Sequence, residues 1–366
     1  MSERKIKSLY IHIPFCEHIC DYCDFTKVQY FSLFAHSYIK ELQKELDSYH
    51  IPHDLETIYI GGGTPTALED ELFFDLLNMV SVYTKGVKEY TIETNPESLT
   101  LDKLKMMKSF GVNRISIGVE TTSDAILKSI NRHHTFFDVQ KAVLKAKEMG
   151  FDNLNVDLIL GLPGSSLEQI KKDLDNILSL DVQHISCYSL TVHPNTVFYL
   201  KGFQELIGDE AREYYDFVHV YLAEHGYRHY EVSNWAKPGL ESKHNYVYWK
   251  NEPYYGVGLG ASGYIGDLRY TNTKSINEYL KGRYLDYQEK VTQEDDIEYQ
   301  IMLNLRTKDG IDLGEFKGKF GFDIYQQKKK EIDELVHQGL LIMSRGKLYV
   351  TYEGMMILDQ IILKLI

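Results

Sequence analysis

The sequence predicts an α/β protein, a parallel sheet clothed in helices with a smaller helical domain behind it. Three observations carry this reading. Short apolar, β-prone runs alternate six times with segments of helical period. The chemically unusual residues fall at the C-terminal ends of those runs, and the pattern changes after about residue 230 and again near 290.

Taken in order, the strands are "LYIHI" (9–13), "TIYIGGG" (57–63), "YTIETNP" (90–96), "RISIGVE" (114–120), "NLNVDLILG" (153–161) and "HISCYSL" (184–190). Their Val, Ile and Tyr content suits a pleated, buried surface. Between them, "FAHSYIKELQKELDSY" (34–49), "DAILKSI", "FDVQKAVLKAKEMG" (137–150) and "SLEQIKKDLDNILSL" (166–180) repeat apolar residues at helical spacing, the last with Ser166 as N-cap. "EAREYYDFVHVYLAEHG" (210–226) closes the sixth unit. Right-handed crossovers curl such units into either an open doubly wound sheet or part of a barrel. In a barrel, function collects where the strands end. Here a cysteine loop follows the first strand, "GGGTP" ends the second, Glu93 with Asn95 and Pro96 ends the third, and Glu120 ends the fourth.

Residues 1–230 therefore read as the core, and 231–288 as a Tyr- and Gly-rich flanking segment with little regular structure. Residues 289–366 read as a compact C-terminal domain: helices in "EDDIEYQIMLNLR", "YQQKKKEIDELVHQG" and "EGMMILDQIILKLI", and a hairpin at 340–351 turned at Arg345 and Gly346. Helices with a hairpin wing suggest a winged-helix-like unit. Acids outnumber bases there, which favours a lid or dimer contact over DNA.

With 366 residues, 43% of them hydrophobic, the chain can bury a large core. No run reaches the length of a membrane span, so a cytoplasmic protein is expected, with the apolar C-terminal end as a candidate contact for a partner or the inner membrane face. The net charge of -13 deprives nucleic-acid binding of its usual electrostatic supply.

Of four cysteines, Cys16, Cys20 and Cys23 crowd into eight positions as C-x3-C-x2-C, and Cys187 reads as a core residue. Three soft thiolates suit an iron–sulfur cluster or zinc. Structural zinc wants a fourth ligand, which His12 or His18 would supply. A four-iron cluster on three cysteines instead leaves one iron open to a small molecule.

This loop, with Tyr22 just before its last cysteine, resembles that of the radical S-adenosylmethionine (SAM) proteins, and "GGGTP" resembles their loop for the SAM amino group. More closely, "YIHIPFC", "GGGTPT", "IETNPE", "RISIGVE", "NVDLILGLPG", "HNYVYW" and "GIDL…FG…GLL" are similar to the branch holding oxygen-independent coproporphyrinogen III oxidase (HemN) and the heme chaperone HemW. The resemblance runs from about residue 8 to the C-terminus. It implies a partial (βα)6 barrel, a [4Fe-4S] cluster on Cys16, Cys20 and Cys23, and SAM contacts from Tyr10, Tyr22, Gly62, Gly63, Thr64, Glu93, Glu120, Arg132 and Asp157. Asp157 would accept from the ribose. The glycines would let backbone N–H groups approach the ligand. Glu120 departs from the branch's usual Gln, replacing an amide that donates and accepts by an anion that only accepts.

The oxidases of the branch carry a further cysteine two positions after the third ligand, where this chain has Phe25. HemW-type chains end the loop "CDF" and carry "HN-x-x-YW", here His244, Asn245, Tyr248 and Trp249. The resemblance therefore implies a heme chaperone, with His244 as a candidate heme contact and acceptor hemoproteins, membrane-associated ones among them, as partners. Cluster and SAM would tune assembly, including a homodimer, rather than turn over substrate. The oxidase reading, in which cleaved SAM abstracts hydrogen from a porphyrinogen propionate, is the alternative.

Overall fold

The structure, a computed structural model, describes residues 5–366. Six parallel strands form its centre: β1 (Ser8–Ile13), β2 (Thr57–Gly62), β3 (Glu89–Thr94), β4 (Arg114–Glu120), β5 (Leu154–Leu160) and β6 (His184–Ser189). All six predicted strands are present and adjacent in chain order, and the sheet is not closed. Residues after 230 extend it at both edges. β7 (Arg228–Glu231) and β8 (Asn234–Ala236) are antiparallel additions beside β6, and β9 (Tyr255–Val257) runs parallel to β1.

The helices named from the periodicity are present, and two more, after β2 and β3, go beyond those named. α1 (Ser32–Ser48) turns Ala35, Tyr38, Ile39, Leu42 and Leu46 onto the sheet, an i, i+3, i+4 stripe. α2 (Asp70–Val80), α3 (Leu101–Ser109), α4 (Asp124–Ser129), α5 (Phe136–Glu148), α6 (Leu167–Ser179) and α7 (Gly208–Glu224) follow their strands. Ser166 caps α6, its hydroxyl accepting from the Gln169 amide, and Thr135 with Asp138 forms a capping box on α5.

The segment expected to be mostly loop is ordered. α8 (Lys243–Trp249) lies against β2, and β10 (Ser262–Ile265), β11 (Leu268–Asn272) and β12 (Leu285–Lys290) form an antiparallel sheet. Burial explains why: Trp235, Val257, Leu259 and Tyr279 belong to the same apolar core as β1–β6. Buried Glu45 of α1 accepts from Gly258 N (2.9 Å), Asn272 Nδ2 (2.6 Å) and Tyr279 Oη (2.5 Å), tying the segment to the sheet.

The C-terminal unit has its own core of Ile301, Leu305, Phe316, Phe320, Ile332, Leu335, Leu348 and their neighbours. Its helices are α9 (Gln293–Asn304), α10 (Leu313–Phe320), α11 (Lys329–His337) and α12 (Leu358–Leu365). The predicted hairpin turns at Arg345 and Gly346, both at positive φ, and Ile311–Asp312 adds a third strand to it. The two longer predicted helices are each broken, at Lys328 and Ile357.

The cysteine cleft at the strand ends

A cleft of roughly 390 Å³ opens at the C-terminal edge of β1–β6. Alternation along the strands lines it with polar side chains: Tyr59 of β2, Glu93 of β3, Arg114 and Ser116 of β4, Asn155 and Asp157 of β5, and Ser186 and Tyr188 of β6. Their alternate neighbours in the chain, such as Ile58, Ile92, Ile115, Ile117, Val156 and Ile185, belong to the apolar core.

Cys16, Cys20 and Cys23 stand together over this cleft. A short parallel pairing of Phe15–Cys16 with Val28–Gln29 closes their loop at its base. Its outer side is fastened by Asn131 Nδ2 to Ile19 O (2.8 Å), Phe198 N to Asp21 O (3.0 Å) and a Lys201–Asp21 ion pair (2.7 Å). Thr64 Oγ1 donates to Cys16 Sγ (3.8 Å) and Arg132 Nη1 lies 3.7 Å from Cys20 Sγ. Burial pushes the Cys16 thiol up to about 11 and Cys23 to about 12, so an iron or zinc ion must displace protons to bind.

The cluster fits this arrangement better than zinc. His12 cannot complete a zinc shell, because Tyr10 Oη (2.9 Å) and Thr26 O (2.7 Å) occupy its ring nitrogens. His18 is stacked on His133 with ring centroids 3.7 Å apart.

The glycine turn corrects the expectation that its N–H groups serve a ligand. Gly62 N donates to Glu93 Oε2 (2.8 Å), Gly63 N to Ile13 O (2.8 Å) and Thr64 N to Phe15 O (2.8 Å). The amides are spent internally. The glycines are required by packing: a Cβ on Gly62 would lie 2.4 Å from the His12 ring, and one on Gly63 would lie 2.7 Å from the Pro14 backbone. What the turn retains for a ligand ammonium is its carbonyl oxygens.

Glu93 also accepts from Tyr59 Oη (2.6 Å), and burial lifts its carboxyl to about 7. Glu120 sits at φ 67°, at a break in the β4–β5 register, with Arg132 Nη2 3.1 Å from its carboxylate. The anion that replaces the branch's amide is thus paired inside the cleft. Arg132 also donates to Asn95 Oδ1 (3.1 Å) and to Gly118 O. Asp157 accepts from Ser116 Oγ (3.1 Å) and Asn155 Nδ2 (2.8 Å). Tyr22, Gly62, Gly63, Thr64, Glu93, Glu120, Arg132 and Asp157 therefore share one cleft with the cysteines. Tyr10 does not; it lines a neighbouring groove with His12, Tyr248 and Tyr254.

His244 is likewise elsewhere. It is fully buried beneath the sheet, its Nδ1 bonded to Thr57 Oγ1 (2.8 Å), its Nε2 to Tyr248 Oη (2.8 Å), and burial holds its pKa near 3. The expectation of an imidazole presented to heme is not met in this conformation, since both nitrogens are taken. α8 instead plugs the lower end of the barrel. Ser242 and Glu89 cap its N-terminus, Glu89 accepting from Lys243 N and His244 N (2.9 Å each), and Asn245 lines the cleft from below.

Residues 10–177 match the Radical SAM superfamily, and residues 291–357 match the HemN C-terminal domain. The fold is that of the coproporphyrinogen III oxidase (HemN) from Escherichia coli, a radical SAM enzyme, with a TM-score of 0.85 and 21% identity, covering 100% of this chain and 91% of that one. Over 360 residues the chain is 39% identical to the heme chaperone HemW of Lactococcus lactis, covering 96% of this chain and 95% of the relative. The chain belongs to the HemW family. It is also 40% identical to HemW of Bacillus subtilis (97% of this chain, 98% of the relative) and 33% identical to HemW of Escherichia coli (97% of each). Within a HemW-family chain, Ser116, Asn155 and Ser186 are cleft residues that motif reading missed, and Asn245, named there only as part of the HN-x-x-YW motif, joins them. The signal for the first three was present as polar residues at every second position of β4, β5 and β6.

Proposed function

We propose that this protein is a heme chaperone that binds heme, carries a [4Fe-4S] cluster together with SAM, and delivers heme to acceptor hemoproteins. The observation that carries this reading is Phe25. At the position where the oxidases of the branch have a further cysteine, an apolar side chain stands 65% exposed beside the cleft. The likeness of nearly the whole chain to proteins named heme chaperone HemW supports it.

In this reading Cys16, Cys20 and Cys23 hold the cluster, which when bound supplies an open iron for SAM. Tyr22, Thr64, Glu93, Arg132, Asp157 and the carbonyls of Gly62 and Gly63 receive SAM, with Asp157 on the ribose. Glu120 acts through Arg132, whose guanidinium it orients toward Cys20. Cluster and SAM govern assembly, including dimerisation, rather than turnover. The protein works in the cytoplasm and at the inner membrane face where an acceptor is membrane-bound. No helix among the described residues is long and apolar enough to cross a membrane.

The test is anaerobic reconstitution with iron and sulfide, heme titration, and incubation with SAM, a reductant and coproporphyrinogen III. Heme binding at micromolar affinity or better without protoporphyrinogen is expected. Decarboxylated product would make the chain an oxidase and overturn the reading.

A further inference from the structure

Every charged side chain that lines the cleft has a partner except one. Asp24 pairs with His193, Lys27 donates to the Cys23 carbonyl, Glu93 is held by Tyr59 and Gly62, Glu120 by Arg132, and Asp157 by Ser116 and Asn155. Arg114 is only 2% exposed, its Nε has no hydrogen-bond partner, and no carboxylate among the described residues lies within ion-pairing distance of its guanidinium. A cation taken out of water and left unpaired is costly. Chains keep such a group where something else supplies the partner.

Its position says where that partner enters. Arg114 is the first residue of β4 and shares the inward face with Ser116 and Gly118. Four residues of strand, roughly 13 Å, separate it from the Gly118 level where Arg132 and the cysteines sit. It therefore marks the deep end of the cleft. Tyr59 of β2 lies level with it through Thr91, and the neutral polar groups Asn155, Ser186, Tyr188 and Asn245 line the same cleft. Glu93 is an acid that feels its charge, and burial already lifts that carboxyl to about 7.

We infer that Arg114 is a carboxylate anchor at the floor of the cleft, receiving an acid arm that a ligand extends below the level of Gly118 and the cysteines. A planar guanidinium offers a carboxylate two parallel donors, which a neutral residue cannot. On the chaperone reading above, on which this identification rests, the arm is a heme propionate. The carboxylate of SAM is the other source of the same chemistry, in a pose that leaves the Gly62 and Gly63 carbonyls.

The full-length protein and its Arg114→Gln and Arg114→Lys variants would be titrated with heme and with heme dimethyl ester, following the Soret band. For Arg114→Gln, a loss of about tenfold or more in heme affinity is expected. The ester should bind all three proteins alike, and Lys should recover part of the loss. Unliganded Arg114→Gln should melt no lower than wild type, because it removes an unpaired buried charge. A variant that melts lower yet binds heme as wild type does would make the guanidinium structural and overturn the inference, as would equal losses for heme and ester. If wild type binds no heme, the chaperone reading fails on its own. The anchor is then read from the melting-temperature rise with SAM and with acetate: a rise lost in Arg114→Gln sustains it, and an equal rise in both proteins ends it.

Discussion

Single side chains in the cleft are governed by burial working against hydrogen bonding. Glu93 shows the balance. Its folded pKa, about 7, lies above the ordinary value of 4.5, so the folded state holds a proton that the unfolded chain has released. The penalty is absent below about pH 4.5, grows between 4.5 and 7, and is complete above 7, where it amounts to roughly 3 kcal/mol. Glu93→Gln should therefore gain stability relative to wild type as pH rises from 5 to 8. Denaturant titrations at the two pH values measure it, and a difference that does not change with pH would contradict the assignment. His244 carries a second expectation. Truncation to Ala removes the bonds to Thr57 Oγ1, which keeps Ser8 Oγ, and to Tyr248 Oη, a loss of about 1–3 kcal/mol. Heme affinity should stay within about twofold, by Soret titration at a temperature where the variant is folded; a larger fall would return His244 to a direct role and require α8 to open. At Gly63 the constraint is steric. A methyl group there meets the Pro14 backbone at 2.7 Å and Phe15 O at 2.8 Å. Gly63→Ala should displace the cysteine loop and lower the iron and sulfide retained on reconstitution, while far-ultraviolet circular dichroism is unchanged.

Elements explain why these side chains meet. The cysteine loop has little regular structure of its own, and its shape is imposed by the β1 end, the Asn131 turn and the residues around Phe198. α8 is seven residues long, too short to persist alone, and depends on its caps and on packing against β2. Ser242→Ala, which removes the hydroxyl that accepts from Asn245 N, should cost about 1 kcal/mol. Hydrogen exchange should rise in residues 243–249 before it rises in β2; uniform exchange across both would mean that the plug does not open separately. The broken helices at Lys328 and Ile357 show the limit of periodicity. Neither break is marked by Pro or Gly, so the apolar pattern runs through it unaltered.

At the scale of the whole molecule, two apolar cores meet. The first extends past residue 230 as far as Tyr279, and the second belongs to the C-terminal unit. Tyr352 Oη donates to Asp216 (2.5 Å), Arg212 reaches Glu353 (2.9 Å), and Glu231 bridges Thr307 across their junction. Val232 packs into the second core from the first unit's chain. Removing residues after 290 should expose this seam, seen as dye binding to apolar surface and a lower melting temperature. An unchanged melting temperature would show that the units are energetically independent. The apolar C-terminal end is already used within the chain: Leu358, Ile361, Ile362 and Leu365 fill the second core, with Leu363 facing outward.

By itself the sequence determined the six strands, the helices between them and the strand edge at which the cysteines and acids collect. These follow from local apolar period and turn chemistry, which are written residue by residue. It also carried the family, through many short motifs in a fixed order. Only the tertiary structure decided the rest. It made residues 231–288 part of the main core, because what orders Tyr- and Gly-rich sequence is burial against distant strands such as β1. It withdrew the glycine-turn amides and His244 from ligand contact, because hydrogen-bond partners 4 to 187 positions away had already claimed them. It left Arg114 unpaired at the cleft floor, because pairing depends on which side chains share a volume, and no local pattern encodes that.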